Sequence, residues 1–410
     1  MSRKTRFSRR SFFAGVSTAA AASTLAACAS ASEGAGPTAS VPAAPDLSTS
    51  TVTFDGLHQA GVDTPAQAHL NLVGFNLKEG VDRDGVIRLM RSWSEDARAL
   101  TTGQTPPGSL EPELVQRPAN LTVTCGFGPR IFDVAELLEE RPEWLGPIPE
   151  FQLDQLDEAW GQSDLVLQIC SDDPLTVSHT TRHMVRTSPT YAVPVWMQQG
   201  FLHAAGTREE GQTPRNLFGQ KDGTVNPRTD EELMSHVWHG TEVPDWSRGG
   251  TAMVVRRVEL HMDTWEMLDR ASREESIGRT LEEGGPLSGG DEFAEADYSA
   301  TDDYGLPFID PASHMARARP PVDKPEQVML RRPYNYDLPP VDGISNSGQV
   351  FICFQQNPDR QFTPVQARLD EQDRLNEWIT HIGSAVYWIP PGTGVESGDD
   401  YWGQRLLEKV

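Results

Sequence analysis

His69-Leu70-Asn71-Leu72-Val73-Gly74-Phe75 is a short apolar run, and the residues after it change period. Val86, Met90, Trp93, Ala97 and Leu100 recur at helical spacing and lay one apolar stripe along an amphipathic helix. Leu121 to Phe127 and Asp164 to Cys170 read as further strands. A helix capped by Asp173, with Pro174 in its first turn, follows. The second half repeats the alternation. A strand at Ala252 to Leu260 is followed by a helical start at Asp263 and strands near Val328 to Arg332 and Gln349 to Phe354. A last helix opens at Thr363-Pro364 and carries Val365, Leu369, Gln372 and Leu375 on one side. Strands mixed with helices in two similar halves indicate an α+β fold, not a doubly wound sheet. Residues 270–312 are polar, acidic and glycine-rich, and predict a long surface excursion.

The 410 residues suffice for one large domain or two domains with real cores. They carry 35 basic and 59 acidic side chains, a formal charge of −24. Arg3, Lys4, Arg6, Arg9 and Arg10 crowd the N-terminus, so the remainder is more acidic still. Such a surface argues against nucleic acid as a partner and favours neutral or cationic small molecules in the encounter step. Ser8-Arg9-Arg10-Ser11-Phe12-Phe13, followed by an uncharged Ala/Ser-rich run, looks like a twin-arginine signal and predicts export by that machinery. A transmembrane anchor fits less well, because the run is only mildly apolar. Leu25-Ala26-Ala27-Cys28 reads as a lipobox, which predicts a membrane tether through lipidated Cys28; Ala29-Ser30-Ala31 is a competing cleavage site. The expected organisation is a signal over 1–31, a flexible linker over 32–52, and two domains over 53–212 and 213–410. Cys125, Cys170 and Cys353 each lie inside an apolar strand-like segment and read as buried free thiols.

Two stretches carry the chemistry. The first is Arg215-Asn216-Leu217-Phe218-Gly219-Gln220-Lys221-Asp222-Gly223-Thr224; the second runs from Ser313-His314-Met315 to Leu330-Arg331-Arg332-Pro333-Tyr334. The glycines let a flat ligand approach the backbone, with one carboxylate between them. An imidazole for iron, a carboxylate for proton transfer and a guanidinium for developing negative charge are the parts of a haem peroxidase site.

These stretches resemble the dye-decolourising (DyP-type) haem peroxidases, whose Gly-x-x-Asp-Gly signature is matched by Gly219 to Gly223. The likeness is nearest to the exported bacterial branch that includes deferrochelatase-like proteins. It runs from about His58-Gln59-Ala60-Gly61 to Trp388-Ile389-Pro390-Pro391-Gly392, and takes in Val254-Val255-Arg256-Arg257 and Cys353-Phe354-Gln355. The resemblance implies two ferredoxin-like domains with packed antiparallel sheets and haem b held mainly by the second. It implies a peroxidase that uses hydrogen peroxide to oxidise a small organic reductant. Deferrochelatase-type release of iron with the porphyrin left intact is the close alternative, and a haem-binding lipoprotein without turnover the more distant one. It also leaves room for a homo-oligomer and for iron-uptake partners.

Residue by residue, the resemblance implies His314 as the axial ligand of the haem iron, one of ten histidines in the chain. It implies Asp222 and Arg331 as the catalytic pair on the distal side. Phe218, Gly219, Gly223, Thr224 and Phe351 are expected around the cofactor, and Glu377 as the acid that pairs with His314. Gln349 stands where an apolar pocket residue is expected, and Ala316 and Pro321 where arginine is common; Arg317 and Arg319 are then candidates for the propionates. Blander readings compete at several positions. Lys-Asp-Gly is a common turn, Glu377 sits where helix surfaces carry solvated glutamates, and His261 reads as a packed or hydrogen-bonded histidine. The pairs His179/His183 and His236/His239 lack a third ligand and read as surface positions. Strand parity sends Arg331 and Arg332 to opposite faces, and Arg332 to the surface or a sheet edge.

Overall fold

The computed structural model describes residues 46–208 and 211–409. The signal, the lipobox with Cys28 and most of the proposed linker lie outside the described residues. Strands β1 (His69–Leu77), β2 (Thr122–Phe127), β3 (Leu165–Ser171) and β4 (Ala192–Phe201) come from the first half of the chain. β5 (Thr251–Leu260), β6 (Leu330–Arg331), β7 (Tyr334–Val341), β8 (Ile344–Gln355) and β9 (Ile379–Ile389) come from the second. The strands hydrogen-bond in the order β5-β9-β2-β3-β1-β4-β7-β8-β6, and β5 also pairs with β8, so the sheet closes on itself. Its long ladders form two four-stranded antiparallel sheets, β2-β3-β1-β4 and β9-β5-β8-β7. In each, the first strand lies between the third and the fourth, the order of a ferredoxin-like unit. The expected α+β architecture is therefore present.

The two sheets meet at narrow seams: Phe127 opposite Trp388 on one side and Phe201 opposite Asn335 on the other. Side chains stabilise the first seam. Trp388 packs edge-on against Phe127 and Trp246, with ring centroids 5.6 and 4.9 Å apart, and its indole N–H donates to Ser247. Most strands are buried on both faces, which is why they read as apolar runs and not as alternation. Leu70, Leu72, Val166, Val350, Ile352, Ala385 and Tyr387 share the core between the sheets. Val73, Phe75, Leu165, Leu167, Val386 and Trp388 turn outward, into a second core with the helix Arg83–Thr101. Val86, Met90, Trp93, Ala97 and Leu100 all face that core, as the spacing predicts. The helix Pro174–Thr187 starts as expected, with the Asp173 carboxylate accepting from the Thr176 N–H.

Several expectations need correction. β4, β7 and β9 carry too weak a strand signal: β4 contains Pro194, β7 contains Pro339 and Pro340, and β9 opens on Thr380-His381-Ile382-Gly383-Ser384. Prolines are tolerated because β4 and β7 are largely unpaired along their outer edges, whereas β9 is buried by its neighbours β5 and β2. The helix Phe362–Gln372 ends before Leu375, and a four-residue helix, Gln404–Leu407, follows later in the chain. The excursion over 270–312 is only partly on the surface, since it contains the helix Arg270–Ile277 and inserts Glu292, Ile277 and Ile309 into the protein. Arg332 is buried, with its guanidinium on the Thr64 carbonyl and Gln67, because parity turns it inward as it turns Arg331 toward Asp222. His179, His183 and His239 are buried too. His183 faces Asp96 at 3.1 Å, while His239 bonds Ser247 and the Gln356 carbonyl.

Burial disfavours the charged ring of His239 and holds its pKa below the ordinary value, against the opposing pull of its hydrogen bonds. A histidine of this kind contributes stability that is fully present above the unfolded-state pKa near about 6.5 and is lost as pH falls below it. Denaturant unfolding at a series of pH values should show His239→Gln less stable than the parent at neutral pH. The parent should then lose up to about 1.4 kcal/mol more per unit of pH on acidification, and parallel curves would contradict this account.

Candidate active site

Asp222 reaches its position through a tight hairpin. Arg215 bridges to Lys221, the Gly219 N–H donates to the Asn216 carbonyl, and Gly219 closes the turn at φ 80°. That backbone angle favours glycine. Gly223 follows at φ 119°. Asn226 then locks the segment to β6: its amide donates to the Arg331 carbonyl at 2.7 Å and its Oδ1 accepts from the Arg331 N–H at 3.2 Å. The lock brings Asp222 Oδ1 to 3.1 Å from Arg331 Nη1, with side chains 15% and 23% exposed. The second oxygen, Oδ2, accepts from Gln349 Nε2 at 2.9 Å. Lys221 and the Thr224 hydroxyl both bind Glu292, at 2.5 and 3.0 Å. The excursion thus braces the hairpin, and the Thr224 hydroxyl is committed to that brace.

His314 opens the short helix His314–Ala318. Its Nδ1 lies 2.6 Å from Asp373 Oδ2, which leaves Nε2 open. Asp373 is fully buried and sits where the helix Phe362–Gln372 gives way to a turn; its other oxygen accepts from the Leu375 N–H at 2.9 Å. The Arg374 N–H donates to the Ala312 carbonyl at 2.9 Å and ties this junction to the approach to His314. Burial works against a charged imidazole, but the charge and hydrogen bond of Asp373 outweigh it and raise the His314 pKa. Arg331 and Asp222 also act on the ring through their charges, with opposite sign. The imidazole keeps 31% of its side-chain surface open.

The acid expected at Glu377 is replaced by Asp373. Glu377 is exposed on the turn Arg374–Glu377, whereas Asp373, four residues earlier, points inward. The signal available in the sequence was an aspartate at the end of a helical pattern, a capping position. Phe218 is buried against Trp265, with ring centroids 4.3 Å apart, in a cluster with Leu375, Trp378 and Phe351. Phe351 also packs near Phe362, at 6.2 Å. Arg317 is tied to the Arg368 carbonyl and Glu371, and Arg319 lies over the Tyr298 ring at 4.0 Å. His261 is hydrogen-bonded to Thr380 at 3.0 Å. Asn226, Glu292 and Asp373 were not singled out in the sequence, because each acts through a partner distant along the chain.

An imidazole nitrogen left open by a buried carboxylate partner, an acid–guanidinium pair and an aromatic cluster are the parts of one class: an iron-porphyrin enzyme that handles peroxide. The comparisons place the chain within that class. The family model for the N-terminal part of Dyp-type peroxidases matches residues 59–202, and that for the C-terminal part matches residues 213–394. The chain belongs to the Dyp-type peroxidase family. It is an enzyme, and haem is its cofactor. A dye-decolorizing peroxidase of Thermobifida fusca is 33% identical over 366 residues, covering 85% of this chain and 84% of its own. A deferrochelatase of Yersinia pestis is 35% identical over 378 residues, covering 87% and 84%. The crystal structure of a DyP-type peroxidase from Cellulomonas bogoriensis matches with a TM-score of 0.85 at 44% identity, over 89% of this chain and 100% of its own.

The residues present fit haem. His314 Nε2 is free to bind iron while Asp373 fixes the other nitrogen, and Phe218 and Phe351 belong to an apolar cluster suited to a porphyrin face. Asp373→Asn should therefore weaken haem affinity or turnover by about 10–100-fold, while Glu377→Gln should leave both at parent values. Haem titration followed at the Soret band decides this, and equal effects of the two substitutions would contradict the assignment.

Proposed function

We propose that this chain uses hydrogen peroxide to oxidise small organic molecules, with His314 as the iron ligand and Asp222 and Arg331 as the catalytic pair. The observation that carries the assignment is the hydrogen-bonded Asp222–Arg331 pair, together with an imidazole that Asp373 holds at Nδ1 and leaves open at Nε2. Haem, held through His314, would supply the redox chemistry between peroxide and the reductant. Asp222 accepts the proton that peroxide must lose and can return it to the departing oxygen. Arg331, held by Asn226 through its backbone, keeps a fixed positive charge where negative charge develops as the O–O bond breaks. Asp373 holds His314 in one tautomer and makes it a stronger donor.

Neutralising either distal residue should spare haem binding and slow the reaction with peroxide. Asp222→Asn is expected to cost about 10²–10⁴-fold and Arg331→Leu about 10²–10³-fold, read by stopped-flow at the Soret band. A variant that reacts as fast as the parent would contradict the role of that residue.

A second reading follows from the relatives, one named a dye-decolorizing peroxidase and another a deferrochelatase. The same pocket would serve release of iron from haem. Recovery of intact metal-free porphyrin with stoichiometric free iron would favour that reading, and turnover of a reductant with the haem retained favours the first.

The twin-arginine pattern at Ser8-Arg9-Arg10 supports export in a folded state, so that haem is acquired before translocation. Cys28 in its lipobox supports a tether at the outer side of the membrane. Replacing Arg9 and Arg10 by lysine should leave the protein in the cytoplasmic fraction; unchanged export would refute the pathway.

A further inference from the structure

Asp222 is gripped by donors on two different strands. Arg331 of β6 holds Oδ1 and Gln349 of β8 holds Oδ2, at 3.1 and 2.9 Å. A carboxylate engaged at both oxygens can no longer rotate freely, so its remaining lone pairs keep fixed directions. An amide donor also differs from a second cation, because it favours the anion without neutralising it. The ladder partners of Gln349 are Val258 of β5 and Asn335 of β7, and strand alternation puts it on the same face as Phe351. Gln349 further lines a small pocket of mixed character with Asn216, Asn335, Leu202 and Pro333. Asn335 is only 4% exposed, and its Oδ1 has no hydrogen-bond partner among the described residues.

The other charged groups nearby are occupied. The Arg215 guanidinium donates to the carbonyls of Gly219, Leu281 and Glu282. Lys221 is turned to Glu292, Arg279 donates to the carbonyls of Gly284 and Glu292, and His314 is paired with Asp373. Among the described residues, Arg331 and Gln349 are the only side chains that donate to Asp222.

We propose that Gln349 is a positioning residue for proton transfer: it orients the Asp222 carboxylate, acting through Asp222 and not on peroxide directly. The proposal rests on the peroxidase reading given above. Gln349→Leu, in the haem-loaded enzyme, should keep the Soret band of the parent and react about ten-fold more slowly with peroxide. Cyanide binding to the ferric enzyme, which also requires loss of a proton, should slow by a similar factor. Gln349→Glu keeps the length but puts a carboxylate in place of the amide donor, and should slow both reactions at least as much. In an Asp222→Asn background, Gln349→Leu should change the peroxide rate by less than about two-fold.

Peroxide and cyanide rates that stay at the parent values in both Gln349 variants would overturn the proposal. So would a Gln349→Leu effect of equal size without Asp222, since the amide would then act on peroxide itself. An Asp222→Asn enzyme as fast as the parent would remove the underlying reading, and the proposal with it.

Discussion

A hydrogen bond between Asp222 and Arg331 joins positions 109 residues apart, and the site depends on the backbone being held well enough to make it. Neither side chain does this alone. Asn226 reads both backbone groups of Arg331, Gly219 turns the hairpin, and Glu292 braces it through Lys221 and Thr224. A carboxylate and a guanidinium fixed before the reactant arrives need no reorganisation when charge develops, and this preorganisation is what the surrounding fold supplies.

The His314 side of the cleft follows the same logic. Asp373 is placed by a helix that ends and a turn that begins at one residue, and its carboxylate is shared between the imidazole and the Leu375 N–H. Full burial of Asp373 strengthens the interaction and keeps water from competing for it. Asp222, Arg331, His314 and Asp373 all come from the second half of the chain. The seams at Phe127 and Trp388 and at Phe201 and Asn335 link the two sheets into one ring.

Gln349 shows how one substitution can change a site without disturbing its frame. It occupies a strand position where an apolar side chain was expected, and it still fits the β8 ladder. What changes is the number of donors on Asp222. Arg332 is the converse case. Beside Arg331 in the sequence it looks like an interchangeable cation, yet it is buried against Thr64 and Gln67 on the opposite face. Parity along the chain sends one arginine to Asp222 and its neighbour into the interior.

The α+β class, the Arg83–Thr101 helix with its stripe, the Asp173 cap and the buried thiols could be read from the chain alone. Those features are written in local periodicity, in capping residues or in short motifs, each of which a few neighbouring residues specify. The folded structure was needed to show that Asp373 and not Glu377 meets His314, that Gln349 donates to Asp222, that His179, His183 and His239 lie inside, and that β4, β7 and β9 are strands. Each of these depends on contacts between residues far apart in the chain. Burial of β9 between β5 and β2, for example, comes from its neighbours and not from its polar opening residues. Local sequence specifies what a segment can form, whereas the partner of a side chain is set by which distant segment the closed sheet brings beside it.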